Sequence, residues 1–141
     1  MENYYKRERL GEIYPEARKM RDNNKGYDWL VPNKKGMLLR DEEKFRSPGV
    51  KVDITKAQVY GSDIITLCKP DTKGSLKFNM YHMATEKYRE IAKPHSALKS
   101  GYTDKVLEVS QKKFMENATT DLNVILHDIE RQCIDLMEFA N

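Results

Sequence analysis

Two pentapeptides constrain this chain more than any other feature: Pro32-Asn33-Lys34-Lys35-Gly36 and Pro70-Asp71-Thr72-Lys73-Gly74. Each follows one apolar-rich run (Tyr27–Val31 and Ile64–Cys68) and precedes another (Met37–Leu39 and Leu76–Met80). Proline presets φ at the second position of a tight turn. Asn or Asp suits the next position, and glycine can take positive φ as the chain re-enters the partner strand. Both segments therefore read as hairpin turns. A phosphate cradle is the rival reading, but it needs several successive backbone N–H groups, and a segment opening on proline lacks the first. As turns, they set Lys34, Lys35 and Lys73 at exposed tips.

The rest of the chain is read around these hairpins. Val50, Val52 and Ile54 alternate with polar residues, as one face of a strand does. Gln58-Val59-Tyr60, Ile64–Cys68 and the alternating Leu76, Phe78 and Met80 extend this to a meander between residues 50 and 81. Residues 41–49 form a polar connector, in which the carboxylates of Asp41, Glu42 and Glu43 are expected to be solvated. Met80, Met83, Ala84, Tyr88 and Ile91 recur at helical spacing and predict a helix over 79–92, stopped by Lys93-Pro94. Thr103-Asp104 starts a second helical stretch, with Thr as N-cap and Asp favourable to the dipole. That stretch runs almost to the C-terminus, with a break near 117–120.

Within it, Leu122, Leu126, Ile129, Cys133 and Leu136 form a heptad seam, widened by Ile125, Ile134 and Met137. The seam is a candidate interface with a second copy or another protein; the alternative is packing on the chain's own sheet. Residues 2–25 carry few apolar side chains and are interrupted by Gly11 and Pro15, which reads as an arm with one short helix. The expected fold is α+β: an N-terminal arm with a short helix, a small antiparallel sheet built from hairpins, and two C-terminal helices, the last one long. A chain of 141 residues is the size of one domain. It divides into a basic arm (1–25), the hairpins and meander (26–81) and a helical part (82–141).

Charge is uneven along the chain. Residues 1–51 hold 13 Lys and Arg against 9 Asp and Glu, residues 52–101 hold 8 against 5, and residues 102–141 hold 4 against 8. The basic part can attract phosphate. Lys6, Arg7 and Arg9 interleave with Tyr4 and Tyr5, and with Lys34, Lys35 and Lys73 they are the candidate phosphate contacts; Tyr and Trp29 can stack on bases. Glu2, Glu8, Glu12 and Glu16 blunt the field of the arm.

Catalytic signatures are absent from the sequence. There is no Gly-X-Ser-X-Gly, no Cys-X-X-Cys, no His-Glu-X-X-His and no phosphate-binding glycine loop. His82, His95 and His127 are far apart, and Cys68 and Cys133 stand in apolar surroundings that suit buried free thiols. No cofactor and no metal is therefore expected. With no apolar run long enough to span a bilayer and no leader-like start, an intracellular or virion-associated protein is expected. Phe45–Val50 resembles the segment that opens contractile phage tail-sheath chains, over six residues only. The resulting expectation is a non-enzymatic binding or assembly protein of phage or mobile-element type: a structural subunit, or an inhibitor of a host machine, whose partner is protein or a second copy. The alternative is a nucleic-acid-binding accessory protein that uses the basic arm and the Lys-tipped hairpins.

Overall fold

The computed structural model describes residues 18–19, 26–70, 77–97 and 104–129. Its architecture is α+β, as expected, with two sheets. The larger sheet has the order β1-β2-β3-β5-β6, from strands Arg18–Lys19 (β1), Trp29–Pro32 (β2), Leu38–Phe45 (β3), Ile64–Pro70 (β5) and Phe78–Ala84 (β6). The smaller has the order β4-β8-β7, from Val52–Thr55 (β4), Lys93–Pro94 (β7) and Lys105–Val109 (β8). The helices are Lys56–Gly61 (α1), Thr85–Ile91 (α2), Gln111–Glu116 (α3) and a helix over 122–129 (α4).

The two hairpins expected from the turn sequences are β2–β3 and β5–β6, both antiparallel. Between them the sheet is mixed, because β3 and β5 run parallel, with Asp41 beside Ile64 and Phe45 beside Cys68. A parallel pair needs a crossover, and β4 with α1 supplies it. The turn at Pro32–Leu38 precedes β3, whereas the β5–β6 connection follows the far end of β5. The two turns therefore lie at opposite ends of the sheet.

Other elements differ from the sequence-based expectation for identifiable reasons. Gln58-Val59-Tyr60 is helical, because Thr55 and Gln58 form a reciprocal capping box: Gln58 N–H donates to Thr55 Oγ1 and Thr55 N–H donates to Gln58 Oε1. Residues 78–84 are strand: Phe78, Met80 and Ala84 pack on one core cluster and Met83 on the other, so period two wins. Helix begins only at Thr85. Lys105–Val109 is strand, paired with β4 and β7, and helix resumes where Ser110 caps α3 through the Lys113 N–H.

Alternation along the large sheet builds two cores. Trp29, Val31, Leu39, Ile64, Cys68, Phe78 and Met80 face α4, whose Leu122, Ile125 and Leu126 are buried against them. Ile65, Leu67 and Met83 face the small sheet and α1–α3, meeting Val52, Ile54, Val59, Tyr88, Val109 and Phe114. The fully buried Tyr88 ties α2 to β4 by donating its hydroxyl to the Val52 carbonyl at 2.7 Å. Cys68 is a buried free thiol, as expected. Among the described residues no helix is long and apolar enough to cross a membrane.

Candidate active site

The centre of β3 reads Asp41-Glu42-Glu43-Lys44, and these four charged residues are 0%, 4%, 0% and 5% exposed. The expectation of a solvated connector is wrong here. Charged side chains are almost never this buried unless paired, because leaving water costs several kcal/mol per ion. Four in succession in a central strand mark a place where the fold accepts that cost, which is how functional sites are recognised.

Strand alternation sorts the four onto two faces. Glu42 and Lys44 point toward α1, and Gln58 of that helix joins them. Lys44 Nζ lies 3.5 Å from Glu42 Oε1 and donates to Gln58 Oε1 at 2.8 Å, while Gln58 Nε2 donates to Glu42 Oε1 at 3.0 Å. The capping box fixes Gln58 on the first turn of α1, so local helix chemistry positions the trio.

Asp41 and Glu43 face α4. Thr66 Oγ1 donates to Asp41 Oδ1 at 2.7 Å and sits 2.8 Å from His82 Nδ1. The hydroxyl proton goes to Asp41, so the hydroxyl lone pairs are left for a proton on His82 Nδ1. Burial holds the His82 imidazole at a pKa of about 4, against a raising effect of Asp121. This ring is therefore neutral near pH 7.

Asp28, just ahead of β2, accepts the Glu43 backbone N–H at Oδ2, 2.9 Å away. Its segment is held close to the end of α1: a Cβ on Gly61 would lie 2.9 Å from Gly26 Cα, so glycine is required for that approach. Asp63, just past α1, clamps the same corner. It accepts from Arg40 N, Nε and, through its other oxygen, Nη2 at 3.0 Å, which raises the Arg40 pKa above its ordinary value. Beside this clamp a cleft of about 240 Å³ opens between Arg40, Tyr60, Ser62, Thr85 and Arg89.

Among the described residues, no group of three or more His, Cys, Asp or Glu side chains is arranged to hold a metal ion. Asp28 and Glu42 offer two hard carboxylate donors. That donor set fits a Mg²⁺-like ion, which takes one or two carboxylates and completes its shell with water and phosphate, and it does not fit a closed zinc site.

The candidate site residues from the sequence fall elsewhere. Lys34 and Lys35 are exposed on the β2–β3 turn. Leu122 and Leu126 are buried in the chain's own core, and Ile129 packs on it and lines the cleft. Lys6, Arg7, Arg9, Lys73, Cys133 and Leu136 lie outside the described residues. In the sequence the Asp41–Lys44 row reads as a solvated connector, because charge alone implies solvent. The signal that finds it is an eight-residue strand entered from a hairpin turn, followed by a Thr-X-X-Gln helix start.

No protein-family model and no curated protein sequence matches this chain. Its fold is similar to that of Hjc, a Holliday junction resolvase from the archaeal hyperthermophile Archaeoglobus fulgidus. The TM-score is 0.55 at 12% sequence identity, over 87% of this chain and 93% of the resolvase. This likeness overturns the expectation of a non-enzymatic assembly subunit or inhibitor, which rested on missing sequence motifs.

Proposed function

We propose that this chain acts on nucleic acid and cleaves its phosphodiester backbone at the Glu42–Lys44 row of β3. The observation that carries this reading is the burial of Asp41-Glu42-Glu43-Lys44 in the central strand of a resolvase-like fold. Asp28 and Glu42 would hold a Mg²⁺-like ion, which when bound polarises a phosphoryl oxygen. Lys44 supplies positive charge: its ammonium leaves the Gln58 amide oxygen and Glu42 for a non-bridging phosphate oxygen, where it stabilises the charge that grows as a water oxygen bonds to phosphorus and the P–O bond to the departing sugar oxygen breaks, the water's proton passing through solvent to that oxygen. Gln58 Nε2 keeps Glu42 in place while the phosphate arrives. Lys34 and Lys35 supply phosphate contacts that position the backbone without reading sequence, with Lys6, Arg7 and Arg9 as further candidates.

The test uses end-labelled linear and branched duplexes with Mg²⁺ or Mn²⁺. Wild type is expected to cut. Glu42→Gln and Lys44→Met are expected to lower the rate at least about 100-fold, the scale of losing one charge-stabilising group, while nucleic-acid binding persists. Failure of the wild type to cut any of these substrates contradicts the reading. Salt-sensitive binding without cleavage would favour a non-catalytic nucleic-acid-binding accessory protein.

A further inference from the structure

The β2–β3 turn carries an exposed apolar pair that the proposed chemistry does not use. Met37 is 41% and Leu38 42% exposed, directly after the exposed Lys34, Lys35 and Gly36. The turn is rigid. Asn33 Oδ1 accepts from both Lys35 N (3.0 Å) and Met37 N (2.9 Å), Asn33 N donates to the Met37 carbonyl, and Gly36 N donates to the Asn33 carbonyl. Gly36 takes φ +80°, which a side chain would strain. Asn33 itself is buried, so the tip is anchored to the body of the protein. A loop that only needed to connect two strands would gain nothing from an exposed Met-Leu pair held this firmly.

Alternation places Leu38, the first residue of β3, in relation to the rest of the strand, with Met37 just ahead of it. Leu39 is buried toward α4, so Leu38 shares the opposite face with Arg40, Glu42 and Lys44. Read from the tip inward, that face runs apolar and exposed, then cationic and half-exposed, then into the buried charged row. At about 3.3 Å per residue, Leu38 stands roughly 13 Å from Glu42 along the strand. A backbone held by Lys34, Lys35 and Arg40 would lie along this face with Leu38 at one end and Glu42 at the other.

We propose that Met37 and Leu38 form a wedge that stacks into an open step of a nucleic-acid duplex, such as a branch point, and sets the distance from that step to the cleaved phosphate. Apolar side chains enter DNA between base pairs, and entry costs least where stacking is already broken. An intact duplex must be unstacked first, whereas a branch or nick presents the open step. The lysines beside the pair neutralise the flanking phosphates. The wedge gives the site a preference for branched over linear substrate, and it rests on the reading of this chain as nucleic-acid-acting.

The full-length protein is tested with a branched duplex bearing 2-aminopurine at the branch, and with a linear duplex of the same sequence. Binding of the wild type is expected to raise the branch fluorescence. Met37→Ser/Leu38→Ser should abolish that rise and remove at least about tenfold of the preference for branched substrate, with linear binding within about twofold of wild type. Lys34→Glu/Lys35→Glu should weaken branched and linear binding alike. Retention of the fluorescence rise and the preference by Met37→Ser/Leu38→Ser overturns the wedge while leaving the cleavage reading intact. Absence of all nucleic-acid binding by the wild type overturns both.

Discussion

Strand β3 has two faces with the same kind of residue and different neighbours. On the α4 side, Asp41 and Glu43 lie among Leu39, Ile64, Met80 and Leu122, and Asp41 is held by the neutral Thr66 hydroxyl with His82 behind it. On the α1 side, Glu42 meets the cation of Lys44 and the amide of Gln58, and the row continues to Arg40, half-exposed at the cleft. The first arrangement is closed to solvent: Asp41 Oδ1, Thr66 Oγ1 and His82 Nδ1 join across β3, β5 and β6, where Glu43, Thr66 and His82 are register partners. The second sets opposite charges against each other, and only its neighbour Arg40 reaches the cleft. The α4 side spans three strands, whereas the α1 side joins one strand to one helix.

Four perturbations probe that contrast, and the largest effect belongs to the α1 face. Lys44→Met leaves Glu42 buried without its cation and should cost about 3–5 kcal/mol in urea denaturation. Replacing both as Glu42→Leu/Lys44→Met should recover most of that loss, since a buried pair contributes little net stability over apolar residues of similar size. A single variant within experimental error of wild type would show that the pair is solvated in practice.

On the α4 face the strongest handle is pH. The folded state holds His82 at about 4 against an ordinary 6.5. The unfolded chain therefore takes up a proton first as pH falls. The stability that comes from keeping this ring neutral is whole above pH 6.5, declines below it and is spent by about pH 4, a change of roughly 3 kcal/mol. His82→Gln should flatten the stability profile across that window. Parallel profiles for variant and wild type would remove His82 as the cause.

Thr66→Val should cost about 1–3 kcal/mol, because it strips the buried donor from Asp41 and the acceptor from His82. A neutral result would mean that the seam contributes nothing to register. The smallest effect is expected at Arg40–Asp63, whose side chains are 39% and 28% exposed. Asp63→Ala should remove less than about 1 kcal/mol through the ion pair itself, since exposed pairs are screened; any larger loss reports the Arg40 N–H that Asp63 also caps.

The hairpins were legible in the sequence because turn chemistry is local. Gly36 takes the positive φ expected of it, although Pro32 belongs to β2 and the corner residues are Lys34 and Lys35, closed by Gly36 N–H on the Asn33 carbonyl. The start of α1 is equally local, written as Thr55 and Gln58, but Val59 and Tyr60 favour strands and mask it. Its apolar face is only Val59 deep, too short for periodicity to register. The charged row could not be read locally at all. Whether Glu42 and Lys44 meet solvent depends on a helix that starts 12 residues after Lys44, and on β5 arriving in parallel beside β3. In the sequence, Leu122 and Leu126 belong to an apolar stripe. Its occupant along the described part is the chain's own sheet, which a stripe alone does not specify.

The claim that Glu42 and Lys44 are kept for chemistry is tested most directly by Glu42→Leu/Lys44→Met, measured for both stability and cleavage of labelled branched and linear DNA in Mg²⁺. The prediction is a protein within about 1 kcal/mol of wild-type stability or above it, still binding nucleic acid and unable to cut it. A stable double variant that cuts at the wild-type rate would contradict the account.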